Sequence, residues 1–205
     1  MTIVLLAFGL LAVPAAPANA AGPTGTVSVS GTQLVYTAAA GVANKLVFDF
    51  WQLRAQNRFL ISDTAGRPTP GAGCQTSTVA NSVVCTSTGI TSANISLADG
   101  GDNGRAVDGG KLIDGFIAIN GGAGNDIIDS QVNGTGPAQV RYAGDRGNDS
   151  LYGGDADDIL DGGNGDDILQ GDGSAPGQPQ GNDRLTGGAA STPLRHGRPW
   201  TTRPT

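Results

Sequence analysis

Two textures of apolar placement divide the chain. Between residues 24 and 65, apolar and polar positions alternate, the pattern of strands with one buried face. Thr26–Ser30 alternates, Gly31-Thr32 turns the chain, and Gln33–Thr37 returns along it. Lys45–Leu53 and Arg58–Ser62 predict a second hairpin. Phe48, Phe50 and Trp51 form an aromatic cluster, expected to pack as core rather than stand as a surface patch. Residues 64–75 are rich in Pro, Gly and Thr and predict a loop, after which Ser82–Thr86 and Asn94–Leu97 predict short strands.

Beyond Ala98 the alternation gives way to Asp/Gly turns separated by short apolar pieces, and from Gly121 these fall into a nine-residue register. Gly121–Asp129 (GGAGNDIID) is one unit, and after an interruption of 14 residues GDRGNDSLY, GGDADDILD and GGNGDDILQ follow from Gly144, Gly153 and Gly162. Gly171-Asp172-Gly173 and Gly181–Thr186 make a further unit around a seven-residue insertion. Position six is Asp throughout: Asp126, Asp149, Asp158, Asp167 and Asp183. Position eight is Ile128, Leu151, Leu160, Leu169 and Leu185, and position one is always Gly.

The period reads as a six-residue turn followed by a three-residue strand. Glycines at positions one, two and four allow positive φ and close backbone approach. The position-eight aliphatic points inward between two thin parallel sheets, and two units complete one coil. Stacked coils sit about 4.8 Å apart, so the aspartates of successive turns lie over one another and repel. A hard cation taking six to eight oxygens, as calcium does, relieves that repulsion with two carboxylates and several turn carbonyls. The short strands bury little apolar surface, so the roll is expected to depend on the metal. A disordered Asp/Gly linker is the competing reading, and the regular aliphatics at position eight count against it. The register pairs Asp149 with Asp167, and Asp158 with Asp183 if residues 174–180 loop out. It pairs Asp126 with Asp149 if residues 130–143 form one half-coil with Ala138–Tyr142 as its strand.

Composition sharpens this picture. The chain of 205 residues holds 34 glycines, and all 18 of its acidic residues are aspartate, of which only Asp49 and Asp63 precede residue 99. A net charge of −6 gathered in one half points to cations and away from nucleic acid. The fold class expected is all-β: an N-terminal strand and hairpin region running into a C-terminal calcium-binding parallel β-roll. Residues 1–20 read as a secretory signal, with an apolar run from Ile3 to Val13 and Ala18-Asn19-Ala20 as a small-x-small cleavage pattern, although no Lys or Arg precedes the run. The run is too short to span a bilayer comfortably, so a secreted, extracellular chain without a transmembrane segment is expected. Cys74 and Cys85 are the only cysteines; in an oxidising compartment they are expected to pair, whereas a metal or redox pair would want CxxC spacing or a nearby His.

Residues 121–188 resemble the RTX, or haemolysin-type, calcium-binding repeat family found in bacterial toxins, lipases, proteases and epimerases. The order of signal, N-terminal β segments with one cysteine pair, and repeats resembles small secreted calcium-binding proteins of high-GC actinobacteria. The family resemblance implies calcium ions held by Asp126, Asp149, Asp158, Asp167 and Asp183, with turn carbonyls at positions two and four such as Gly122, Gly124, Gly163 and Gly165. Ala156 at position four, Asp145 and Asp172 at position two, and Arg184 beside Asp183 depart from the pattern, which marks the first and last units as weaker sites.

The organisation expected is a signal over 1–20, a β region with the disulfide over 21–98, a degenerate transition coil over 99–120, the roll over 121–188, and a disordered tail over 189–205. That tail, AASTPLRHGRPWTTRPT, loses Asp and gains Arg195, His196, Arg198 and Arg203, as a frameshift or truncated gene would leave it. His196 is the only histidine, no HExxH occurs, and the aspartates fall at calcium positions, so no catalytic set is expected. The reading is a non-enzymatic structural or binding protein. The alternative is the truncated β-roll module of a larger secreted hydrolase or toxin.

Overall fold

The computed structural model describes residues 22–53, 56–87, 89–108, 115–131, 139–172, 181–189 and 193–195. The signal expected over 1–20 lies outside them. The alternating segments form the two predicted hairpins. Strand β1 (Gly25–Ser30) pairs antiparallel with β2 (Gln33–Ala38), and Gly31 turns the chain with a φ of 58° that a side chain would strain. Strand β3 (Lys45–Leu53) pairs antiparallel with β4 (Gln56–Asp63). A short β5 (Thr69–Pro70) lies parallel to β1, while β6 (Cys74–Thr76) and β7 (Ser82–Ser87) continue the sheet beyond β4. A disulfide joins Cys74 to Cys85, which face each other across β6 and β7.

From there the chain winds. Strands β8 (Ser92–Ser96), β10 (Phe116–Ala123), β12 (Gln139–Arg146), β14 (Ile159–Asp161) and β16 (Arg184–Thr186) stack parallel in one sheet. Strands β9 (Asn103–Asp108), β11 (Ile127–Gln131), β13 (Ser150–Gly154), β15 (Ile168–Asp172) and β17 (Leu194–Arg195) stack parallel in the other. Consecutive strands thus alternate between two sheets, and each pair of strands is one coil. No helix occurs among the described residues, and none is therefore long and apolar enough to cross a membrane.

The parallel ladder begins well before the nine-residue register does. Strand β2 pairs parallel with β8 and β3 with β9, so β2–β3 is the first coil, and residues 99–120 supply strands of the same two ladders. The reason is geometric: β1 and β4 satisfy one edge of β2 and β3, leaving the other edge to template the next coil. The hairpins close the N-terminal end of the roll in the same stroke. At the far end the structure corrects an expectation. Residues 189–205 were expected to be disordered throughout, yet Leu194 pairs with Leu169 and Arg195 with Gln170. Leu194 stands at position eight counted from Gly187, so one more aliphatic in register is enough to dock a strand without an Asp in the turn before it.

One continuous core fills the space between the sheets, from Phe59, Ile61 and Val83 through Leu34, Tyr36, Leu46 and Phe48 to Ile128, Leu151, Leu160 and Leu169. The position-eight residues of the four complete units are fully buried, and Leu185 is partly so. Phe48 packs as core, edge-on to Tyr36 at 5.9 Å between ring centroids. The side chains of Phe50 and Trp51 lie outside the described set.

Candidate metal centre

The turns connecting the sheets form two edges of the roll. On the first edge, running from the first sheet into the second, Asp126, Asp149 and Asp167 stand directly over one another. The main-chain N–H of Asp126 donates to Asp149 Oδ1 at 2.8 Å, and that of Asp149 donates to Asp167 Oδ1 at 3.0 Å. On the second edge the N–H of Val140 donates to Asp158 Oδ1 at 3.0 Å, and that of Asp158 donates to Asp183 Oδ1 at 3.0 Å. The structure therefore brings together the three pairs the register predicts; of the half-coil expected over 130–143, residues 132–138 lie outside the described residues, and the strand expected at Ala138–Tyr142 is seen as β12 from Gln139.

Each of these bonds uses one carboxylate oxygen and leaves the other. Asp126, Asp149, Asp158 and Asp167 are at most 1% exposed, yet their Oδ2 atoms have no hydrogen-bond partner. A buried anionic oxygen without a partner is costly, and a native fold tolerates it where something else satisfies it. The ion pair of Arg105 with Asp129, at 3.9 Å, is partly exposed and does not involve these oxygens.

Of the two causes expected for glycine at position one, close approach holds and positive φ does not. Positions two and four do take positive φ, as at Gly163 (88°) and Gly165 (143°), but position one does not. A methyl group on Gly144 would instead overlap Asp149 Oδ2 and lie 2.6 Å from the carbonyl oxygen of Gly162 in the next coil. Position one is Gly so that the carboxylate of the same turn can fold back over the chain. The carbonyl of Gly124 faces Gly147 of the following coil, and that of Gly163 accepts the N–H of Ala189 at 3.2 Å. Gly122 holds the position-two conformation at a φ of 98°.

Burial first, and the neighbouring carboxylates after it, make these groups weaker acids. Burial pushes Asp126 up to about 6, against the hydrogen bond from the Asp102 N–H and with help from the charges of Asp102 and Asp145. Burial likewise raises Asp149 to about 6, with Asp126 and Asp167 among the charges that add to it. Asp158 reaches about 7 through burial first, and through the charges of Asp183, Asp172 and Asp157 after the opposing bond from Val140. Among the described residues no three His, Cys or acidic side chains converge, so a cation between two turns would have two carboxylates and would need main-chain oxygens to complete its shell. Calcium, a hard ion satisfied by carboxylates and carbonyls, fits that donor set.

The RTX calcium-binding nonapeptide repeat family matches residues 118–131 and 141–173, in 4 copies. These coils are RTX repeats. RTX repeats bind calcium, which marks the chain as a calcium-binding protein. No curated protein and no solved structure matches the chain.

Three features of the RTX coils escaped the sequence reading. Position five carries a second ladder: the N–H of Asn148 donates to Asn125 Oδ1 at 2.8 Å, that of Asp166 to Asn148 Oδ1 at 2.9 Å, and that of Asn182 to Asp157 Oδ1 at 2.8 Å. These bonds run in the opposite sense to those at position six, so each turn is tied to the coil on either side. The signal was present, since position five is Asn or Asp in every unit. Asp172, noted only as a departure from the pattern, is buried and accepts the N–H of Gly181 at 2.7 Å, which ties the end of β15 to the turn before β16. Asp102 joins the first-edge ladder from outside the register: its N–H donates to Asp126 Oδ1 at 2.9 Å.

Proposed function

We propose that this is a secreted calcium-binding protein whose roll folds on binding calcium and whose role is structural or binding rather than enzymatic. The observation that carries the reading is the column of buried, unpartnered Oδ2 atoms on Asp126, Asp149 and Asp167, repeated by Asp158 on the second edge. In this reading Asp126, Asp149, Asp158, Asp167 and Asp183 are the carboxylate ligands, and carbonyls of the turn glycines, Gly122, Gly124, Gly163 and Gly165 among them, complete the shell. Bound calcium supplies the positive charge that lets like-charged turns stack. The chain's part is to hold each carboxylate by a main-chain N–H so that its second oxygen faces the adjacent turn. An affinity in the range of extracellular modules, roughly 10⁻⁴–10⁻³ M, suits a protein that meets calcium outside the cell.

Titration of the chelated protein with calcium tests this. Circular dichroism should gain β signal cooperatively, and protease cleavage between residues 121 and 186 should cease. Magnesium should do this poorly, because it holds its water and demands octahedral geometry. A spectrum and cleavage pattern that ignore calcium would refute the reading. Secretion is tested separately by mass spectrometry of culture medium, which should find a mature chain beginning near Ala21.

A further inference from the structure

The family match begins at residue 118, but the carboxylate ladder of the first edge does not. The turn between β8 and β9, residues 97–102, stacks on residues 121–126 as those stack on the next coil. Gly100 donates its N–H to the Ala123 carbonyl at 2.7 Å, just as Gly124 donates to Arg146 at 2.8 Å. Gly100, at a φ of 121°, takes the position-four conformation, and Ala98, at 72°, takes the position-two conformation without being glycine. Asp102 then falls at position six. It is 2% exposed, its Oδ1 accepts the Asn44 N–H at 2.6 Å, and its Oδ2 is buried with no hydrogen-bond partner. Opposite it, Asp126 Oδ2 is in the same state.

The unit is hard to see because two of its positions have exchanged sizes. Position one is Leu97 and position eight is Gly104, the reverse of every other unit. Leu97 is fully buried, and its Cδ1 lies 3.1 Å from where a side chain on Gly104 would begin, so it fills the core space that the aliphatic fills elsewhere. The ladder ends one coil earlier, at Asn44. That side chain is a neutral amide whose Nδ2 donates to the Val42 carbonyl at 3.0 Å.

We propose that Asp102 and Asp126, with main-chain oxygens of the 98–102 turn, form one more calcium site at the N-terminal end of the ladder, outside the matched repeats. The proposal rests on the reading that the matched coils hold calcium. Because Leu97 replaces the glycine that seats the carboxylate elsewhere, this interval should be the weakest and the last to fill.

Native mass spectrometry of the full chain in calcium tests it by counting ions. Four carboxylate intervals are bridged in the structure, Asp102–Asp126, Asp126–Asp149, Asp149–Asp167 and Asp158–Asp183, and the unaltered protein should hold an ion in each. Asp102→Asn should hold one fewer while its calcium-induced circular dichroism persists. An unaltered protein that fills only the other three intervals overturns the inference, as does an Asp102→Asn protein with an unchanged count. If Asp102→Asn fails to fold, the count on the unaltered protein decides alone. A protein that binds no calcium at all removes the parent reading, and this inference with it.

Discussion

The two edges of the roll solve the same stacking problem differently. On the first edge the inward position at the turn is polar in five successive coils: Asn44, Asp102, Asp126, Asp149 and Asp167. On the second edge the aligned column reads Leu34, Ala93, Ile117 and Val140, all buried and apolar, before it becomes Asp158 and Asp183 in the last coils. Parallel strands tolerate either. An apolar column adds directly to the core, whereas a carboxylate column adds repulsion that a cation must neutralise. Dependence on metal should therefore be graded along the molecule, weakest at the hairpin and disulfide end and strongest where both edges are acidic.

The largest expected consequence is a reversal of pH dependence with metal. In the metal-free protein Asp126 and Asp149 titrate near 6 and Asp158 near 7, all raised by burial above the ordinary carboxylate value of about 4. The folded roll then holds protons that the unfolded chain releases, so its stability is fullest below about pH 4 and is lost as pH rises through about 6 to 7. Calcium inverts the sign, because it competes with protons for the same oxygens. Melting curves at pH 4, 6 and 8 should fall with pH in chelator and rise with pH in calcium. Parallel trends in the two conditions would mean that these carboxylates are not where the metal acts.

A smaller effect separates the edges. Asp149 lies between Asp126 and Asp167 and so serves two intervals, whereas Asp158 faces Asp183 on one side and apolar Val140 on the other. Asp149→Asn and Asp158→Asn each keep the Oδ1 acceptor and remove only charge. Asp149→Asn should raise the calcium midpoint by about tenfold or more and Asp158→Asn by less, since affinity follows the number of charged ligands. Both should melt higher than the unaltered protein in chelator at pH 8. Equal midpoints would break the distinction between the edges.

Much of this was legible in the residues, and the illegible part has a single cause. The period of nine, first seen at Gly121, runs without a break only where the second edge also follows it, from Gly144 to Gly171. Upstream, the first-edge turns keep their form at Asp102 and Asp126, but these aspartates stand 24 and 23 residues apart instead of 18, and the intervening sequence carries no nine-residue pattern, which hides the repeat. The carboxylate pairs could be read because stacking follows from the register. The exchange of Leu97 with Gly104 could not, since it conserves volume across the core and leaves no periodic trace in the chain. Leu194 was missed for the opposite reason: its surroundings in composition outweighed its position in register.

The smallest expected effect belongs to the outer ladder, and it tests whether position six or the turn as a whole carries the metal dependence. Asn148 Oδ1 accepts the Asp166 N–H at 2.9 Å on an exposed rim, where water can replace it. Asn148→Ala should therefore cost about 0.5–1 kcal/mol in calcium, the net value of one hydrogen bond. Its neighbour Asp149 is buried and its second oxygen has no protein partner, so Asp149→Ala should cost much more in calcium than in chelator. Thermal melts of the two variants in both conditions give the comparison. If Asn148→Ala loses as much in calcium as Asp149→Ala does, the order of the turn, and not the stacked carboxylates, is what calcium stabilises.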